Sequence, residues 1–287
     1  MRTRPYDPSW RALLLPSLAN DFFADGRPPD ELRLAAELSR VSYIGFDRSQ
    51  REQQRARSIL QNAGFGDVEF LSAGGTECFV ARNRGSDLTF VSFRGTAGLR
   101  DLVTDLMTWR VAWTPGGRVH AGFAGALRRV WHPLLQTLTH HSGRLVYTGH
   151  SLGAALATLA ATLLPPQALY AFGSPRVGDR DFVALLGALE VRRVVDCADL
   201  VCRVPPEWLG FAHVGTGHYV DRDGMLRPQA DADAIRQDAR AARRAYLRAL
   251  AWRPGNAWSR RLADHAPVNY VTFDAPPEAA AVNTIQV

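Results

Sequence analysis

The chain holds 287 residues, 46% hydrophobic and 22% charged, proportions that exclude a disordered tail, a collagen-like fibre and a coiled-coil rod. Its 34 cations are all arginine and exceed the 28 anions by six, a bias that reads as codon preference rather than as a ligand signature. Three cysteines, Cys78, Cys197 and Cys202, are too few for a disulfide framework, so the fold must stand on its apolar core.

Residues 1–29 offer Arg2, Arg4 and the run Ala12-Leu13-Leu14-Leu15, but Asp7 spoils the basic region and Pro16 cuts the run short. We expect an N-terminal surface segment rather than a signal peptide, which leans the location towards the cytoplasm over secretion. Apolar positions at Leu32, Leu34, Ala35, Leu38 and Val41 predict a helix over 30–43 with Asp30 as its cap, and 48–63 reads as a polar helix running into Gly64. The period then changes to two: Cys78-Phe79-Val80 and Leu88 to Phe93 read as strands joined by an Asn83-Arg84-Gly85-Ser86 turn. From residue 119 the alternation is regular. A helix to about 139 precedes a strand at 144–148, a helix at 152–164, a strand at 168–172, a helix at 179–188 and a strand at 191–196. A hairpin closed by Asp221-Arg222-Asp223-Gly224 and a long helix at 231–252 follow. Strands alternating with helices imply right-handed crossovers and a mainly parallel sheet covered on both faces. The most apolar stretch, 152–164, ends at Pro165 and falls short of the ~20 residues that a membrane span needs. No repeat and no linker rich in Gly, Ser or Pro splits the chain, so we expect a single domain over 1–287.

The most informative segment is Val146-Tyr147-Thr148-Gly149-His150-Ser151-Leu152-Gly153-Ala154-Ala155. G-x-S-x-G is weak as a bare pattern. Here a β-branched strand precedes it and an alanine-rich helix follows at once, as a strand–elbow–helix requires. The bland alternative is a turn whose serine merely caps the helix. A serine hydroxyl needs a base to attack at neutral pH, and the base needs an orienting carboxylate. In this architecture both follow the serine in the chain. Asp196 and Asp199 are the acid candidates at a strand's C-terminal end, with Asp199 favoured; His213, His218 and His265 are the candidate bases, with His265 ahead only modestly on position.

The elbow, Val91-Ser92-Phe93-Arg94-Gly95-Thr96, Val119-His120-Ala121-Gly122-Phe123 and Phe172-Gly173-Ser174-Pro175-Arg176-Val177-Gly178 together resemble the class 3 (fungal-type) triacylglycerol lipases over roughly residues 75–275. The resemblance implies an α/β-hydrolase fold: a mostly parallel central sheet flanked by helices, with a short helical lid. It also implies carboxylic ester hydrolysis with no cofactor or metal. It places the acid on Asp199, although Cys202 stands where the family's Asp-x-Val-Pro pattern has proline. It places the base on His265, through the Asp264-His265 pair shortly before Tyr270. It assigns the oxyanion donors to Thr96 and Leu152. Leu99, Leu102, Val103 and Leu106 recur at helical spacing as one apolar stripe, and the resemblance makes 97–109 the candidate lid and substrate-binding segment. The expected partner is a lipid or small ester, with peripheral contact to a lipid surface. Phospholipase A1 and short-chain esterase share this chemistry. An inactive hydrolase-fold scaffold and a nucleic-acid-binding module are the rivals of other classes; the latter is disfavoured because the arginines are scattered rather than interleaved with aromatics. Arg236, Arg240, Arg243, Arg244 and Arg248 fall largely on one side of the 231–252 helix. They read either as a foothold on anionic lipid or as a solvated face partnered by Asp231, Asp233 and Asp238.

Overall fold

The computed structural model describes residues 5–18, 21–23, 30–96, 109–139, 143–228 and 230–274. Its centre is an eight-stranded sheet in the order β1-β2-β3-β6-β7-β8-β9-β10. The strands are β1 (Asp67–Ala73), β2 (Thr76–Asn83), β3 (Leu88–Phe93), β6 (Arg144–His150), β7 (Ala168–Phe172), β8 (Glu190–Asp196), β9 (Thr216–Val220) and β10 (Leu226–Arg227). The ladder from β3 to β9 is parallel, and antiparallel pairs close both ends. A separate ribbon pairs β4 (Arg110–Ala112) with β5 (Arg118–His120).

The strands alternate between two cores, as a period of two dictates. Val91, Phe93, Leu145 and Tyr147 point to the side covered by α4 (Ala121–Leu138) and α5 (Leu152–Leu163). Phe90 and Val146 point to the side covered by α2 (Glu31–Val41) and α3 (Gln50–Asn62), together with the turn Pro267–Val271. Asp30 caps α2 by accepting from the Arg33 amide at 2.8 Å. Glu31, in its first turn, is buried yet satisfied by Arg144 at 2.7 Å and by the Tyr170 hydroxyl at 2.7 Å, which tie α2 to β6 and β7.

The layered α/β architecture is as expected, with differences in detail. β1 was not anticipated: most of its positions are half-buried, so Asp67-Val68-Glu69-Phe70-Leu71 shows no clean alternation. The helix expected over 179–188 is only α6 (Arg180–Ala184), and the rest forms turns before β8. The long helix is α7 (Ala232–Ala249), capped by Asp231.

The N-terminal stretch differs most. Its described part contains α1 (Trp10–Leu14), whose Ala12 and Leu13 are buried in the α4–α5 core. The Trp10 amide donates to the Gly255 carbonyl and the Ala257 amide to Pro8, at 2.9 and 2.8 Å. With Leu14, Leu15 and Leu18 exposed beside the buried Ala12 and Leu13, these residues strap the C-terminal part of the chain. The candidate lid residues Leu99, Leu102, Val103 and Leu106 lie outside the described residues; Trp109, the end of that segment, is 73% exposed.

Candidate active site

Four loops leave the C-terminal ends of neighbouring parallel strands and meet at one edge of the sheet, where open α/β sheets hold their ligands. After β6 the chain turns at Ser151, with φ 60° and ψ −125°, directly into α5. A non-glycine residue in that region costs on the order of 1–3 kcal/mol and persists only when its surroundings over-determine it. They do so by proximity: a side chain at Gly149 would collide with the backbone of Gly153, and one at Gly153 with the Phe93 carbonyl. The two flanking glycines therefore let α5 start hard against the end of β3. The Ser151 amide donates to the Phe172 carbonyl at 2.9 Å, pinning the elbow to β7.

The Ser151 side chain makes no capping hydrogen bond to its helix, which disposes of the capping alternative. Its Oγ lies 2.9 Å from His265 Nε2, and His265 Nδ1 lies 2.8 Å from Asp199 Oδ2. All three side chains are buried. Of the two acid candidates, Asp199 therefore meets the base, whereas Asp196 ends β8 and its amide donates to the Tyr270 hydroxyl at 3.1 Å. Of the three histidines, His213 Nε2 bonds the Cys202 carbonyl at 2.8 Å, and His218 lies within β9 opposite Val194.

Asp199 is fixed on three sides. Its Oδ1 accepts from the Val201 amide at 2.8 Å, and its Oδ2 accepts from the Tyr270 hydroxyl at 2.6 Å as well as facing His265. Burial, and then the charge of Asp199, push the Tyr270 phenol far above its ordinary value, so it stays a donor. Cys202, in place of the family's proline, sits in a short 3₁₀ turn with its Sγ 3.9 Å from the Tyr270 hydroxyl. Its side chain is buried, and burial keeps its thiol protonated.

Asp264, beside the base, is buried and holds the loop together. Its Oδ2 accepts from the Ala198 amide at 2.8 Å, its Oδ1 from the Tyr6 hydroxyl at 2.7 Å, and Arg260 pairs with it at 3.2 Å. His150, next to the nucleophile, stacks its ring 4.6 Å from that of His265 and bonds Tyr43 through Nδ1 at 2.8 Å. Burial, reinforced by the neighbouring His265, lowers its pKa well below the ordinary histidine value, so the ring beside the base is neutral. Sequence reasoning did not find Tyr43, His150 or Tyr6. Tyr43 and Tyr6 meet their partners 107 and 258 positions away, and no local pattern signals such a contact.

Thr96 lies three residues beyond β3, exposed, and Leu152 opens α5. The Gly95 backbone passes so close to the His150 carbonyl and the Tyr43 hydroxyl that a side chain there would strike both. Thr96 and Leu152 therefore flank the elbow from two elements. Arg94, paired with Asp47 and Glu77 at 3.3 and 3.5 Å, anchors the Thr96 segment from behind. No cluster of side chains suited to a metal occurs among the described residues.

The sequence profile of the family described as lipase (class 3) matches residues 90–208. The chain is 32% identical to a lipase of Rhizomucor miehei over 163 residues, 50% of this chain and 45% of that protein. It is also 32% identical to a secreted mono- and diacylglycerol lipase of Fusarium solani over 161 residues, 51% of this chain and 48% of that protein. It thus spans about half the length of these curated relatives. The solved structure of Rhizomucor miehei lipase with its propeptide superposes with a TM-score of 0.53 at 26% identity, covering 66% of this chain and 67% of that one. No helix among the described residues is long and apolar enough to cross a membrane. The secreted Fusarium relative runs against the cytoplasmic lean of the sequence. With strand–elbow–helix, parallel sheet and profile in agreement, the chain has an α/β-hydrolase fold and is similar to the class 3 lipases over residues 90–208.

Proposed function

We propose that the chain is a serine carboxylic ester hydrolase acting on lipid esters, acylglycerols foremost. The observation that carries this reading is the unbroken hydrogen-bonded line from Ser151 Oγ through the His265 imidazole to Asp199, with the serine on a strained elbow at a helix N-terminus. In the first half-reaction Ser151 attacks the ester carbonyl as His265 Nε2 takes its proton. Asp199 holds the Nδ1–H tautomer and stabilises the imidazolium. The tetrahedral oxyanion draws on the Thr96 and Leu152 amides and on the α5 N-terminus. Collapse expels the alcohol, which receives the proton from His265, and leaves an acyl-serine. Water, deprotonated by the same imidazole, then releases the carboxylic acid. The lipid part of the reading rests on the names of the relatives. The apolar stripe of Leu99, Leu102, Val103 and Leu106 keeps 97–109 as our candidate lid on sequence grounds.

Ser151→Ala should lower hydrolysis of p-nitrophenyl butyrate by about 10⁶-fold with an unchanged circular dichroism spectrum, and should abolish labelling by a fluorophosphonate. Full turnover by that variant would end the assignment. Thr96→Val keeps the backbone donor and loses only the hydroxyl. A fall in kcat of about tenfold or more would place that hydroxyl on the oxyanion, where one donor is worth on the order of 10²–10³, and an unchanged kcat would remove it.

A further inference from the structure

Helix α7 packs against α8 (Arg260–Ala263), the short helix that leads into His265. Arg240 and Arg244 are exposed on its outward side, away from the buried Ala239, Ala242 and Tyr246, and Arg243 lies half-buried at the edge of that face with its Nε donating to the Ala239 carbonyl at 3.2 Å. The acid loop meets the same place, because the Leu200 amide donates to the Arg261 carbonyl and the Arg203 amide to the Leu200 carbonyl, at 3.1 and 2.9 Å. Guanidinium groups from three elements therefore collect beside the loops that carry Asp199 and His265.

The acids that were to neutralise this face are engaged elsewhere. Asp231 caps α7, Asp233 pairs with Arg236 and Asp238 pairs with Arg222 at 3.3 Å. Among the described residues, Arg203, Arg240, Arg243, Arg244 and Arg261 have no carboxylate within ion-pair distance. Arg243 titrates below an ordinary arginine, through desolvation and then repulsion from Arg261, Arg203 and Arg240. Self-repulsion of this kind works against folding, so a counter-charge from outside the chain would be stabilising. Exposed apolar groups flank it: Leu247, on the arginine side of α7, is 50% exposed, and Trp258, three residues before Arg261 and edge-on to Trp10, is 65% exposed.

Resting on the ester-hydrolase reading, we propose that this arginine face, with Leu247 and Trp258, docks the protein on an anionic lipid surface and brings the loops of Asp199 and His265 to it. A free phosphate would need cations alone. Cations flanked by an exposed leucine and tryptophan suit a headgroup layer above acyl chains, where each basic side chain near the surface strengthens binding about fivefold.

The test compares sedimentation of the full chain with vesicles of phosphatidylcholine alone and with vesicles that also carry phosphatidylglycerol, alongside turnover of water-soluble p-nitrophenyl butyrate. The protein should favour the anionic vesicles, and added salt should weaken that preference. The double variant Arg240→Gln, Arg244→Gln, exposed at both positions, should bind them about 25-fold more weakly and hydrolyse the soluble ester at the rate of the unmutated chain. Equal binding to both vesicle types, undiminished binding by the variant, or capture of duplex DNA as tight as that of the anionic vesicles would overturn the proposal. A chain that binds anionic vesicles but turns over no soluble ester would keep the docking face and remove the hydrolase reading.

Discussion

The Tyr270 hydroxyl accepts from the Asp196 amide and donates to Asp199 Oδ2 in the same position, so one phenol links the end of β8 to the proposed acid. A hydrogen bond to a buried carboxylate contributes on the order of 1.5–3 kcal/mol. Here it also fixes which way the carboxylate faces His265. Tyr270→Phe should lower kcat on p-nitrophenyl butyrate by about tenfold with little change in KM, because the interaction orients the base rather than the substrate. Equal kcat in the two proteins would show that the Val201 amide alone orients Asp199. At this scale the sequence was uneven. Ser151 could be read from its neighbours, since two glycines, a β-branched strand and an alanine-rich helix are local signals. Asp199 was favoured from its loop beyond the strand end, but His265 rested on family motifs, because chain position left it little ahead of His213 and His218. Tyr270 stood out only as a motif landmark, and its bond to Asp199 spans 71 positions.

At the scale of elements, what the sequence could not give is how the two ends of the chain meet. The Asn269 side chain reads the backbone of residue 7 from both sides: its Oδ1 accepts from the Asp7 amide and its Nδ2 donates to the Asp7 carbonyl, each at 2.9 Å. Tyr6 then reaches Asp264, whose neighbour is His265. Burial, followed by the Asp264 charge, raises the Tyr6 pKa well above the ordinary phenol value, so the donor persists across the working pH range. Tyr6→Phe removes the shorter of two hydrogen bonds to Asp264 Oδ1 and leaves the one from Arg260 Nε at 3.2 Å, a cost of about 1.5–3 kcal/mol for a bond to a charged group. The melting temperature should drop by a few degrees, at about 2 °C per kcal/mol for a domain of this size. Restored stability in Tyr6→Phe/Asp264→Asn would tie the loss to that carboxylate, whereas an unchanged melting temperature in the single variant would make the strap dispensable. The alternating helices and strands after residue 119 were legible because each segment carries one clear period. β1 and the β4–β5 ribbon were not, because short or half-exposed strands leave no alternation to count.

Across the whole molecule, buried neutral histidines tie stability to acidity, His150 and His213 most strongly and the half-buried His218 to a lesser degree. His150 lies in the site beside His265, and His213 lies across the acid loop against Cys202. Burial depresses both pKa values well below the ordinary range; the His265 charge adds to the effect at His150, and Arg193 and Arg176 add to it at His213. In the unfolded chain each titrates near 6.5. Above about pH 6.5 neither state holds the proton and the two residues contribute nothing to the pH dependence. As the pH falls below that value, the unfolded chain binds protons that the folded one refuses. Stability then declines by up to about 1.4 kcal/mol per pH unit for each histidine, until the depressed native values are reached. The melting temperature should therefore be level from about pH 7.5 to 6.5 and fall steadily towards pH 5.5. His213→Gln, remote from Ser151, should remove a clear share of that slope while leaving ester turnover near neutral pH in place. A variant whose melting curve keeps the full acid slope would show that His213 does not carry its share, and a parent protein with no slope would show that both histidines accept their protons inside the fold.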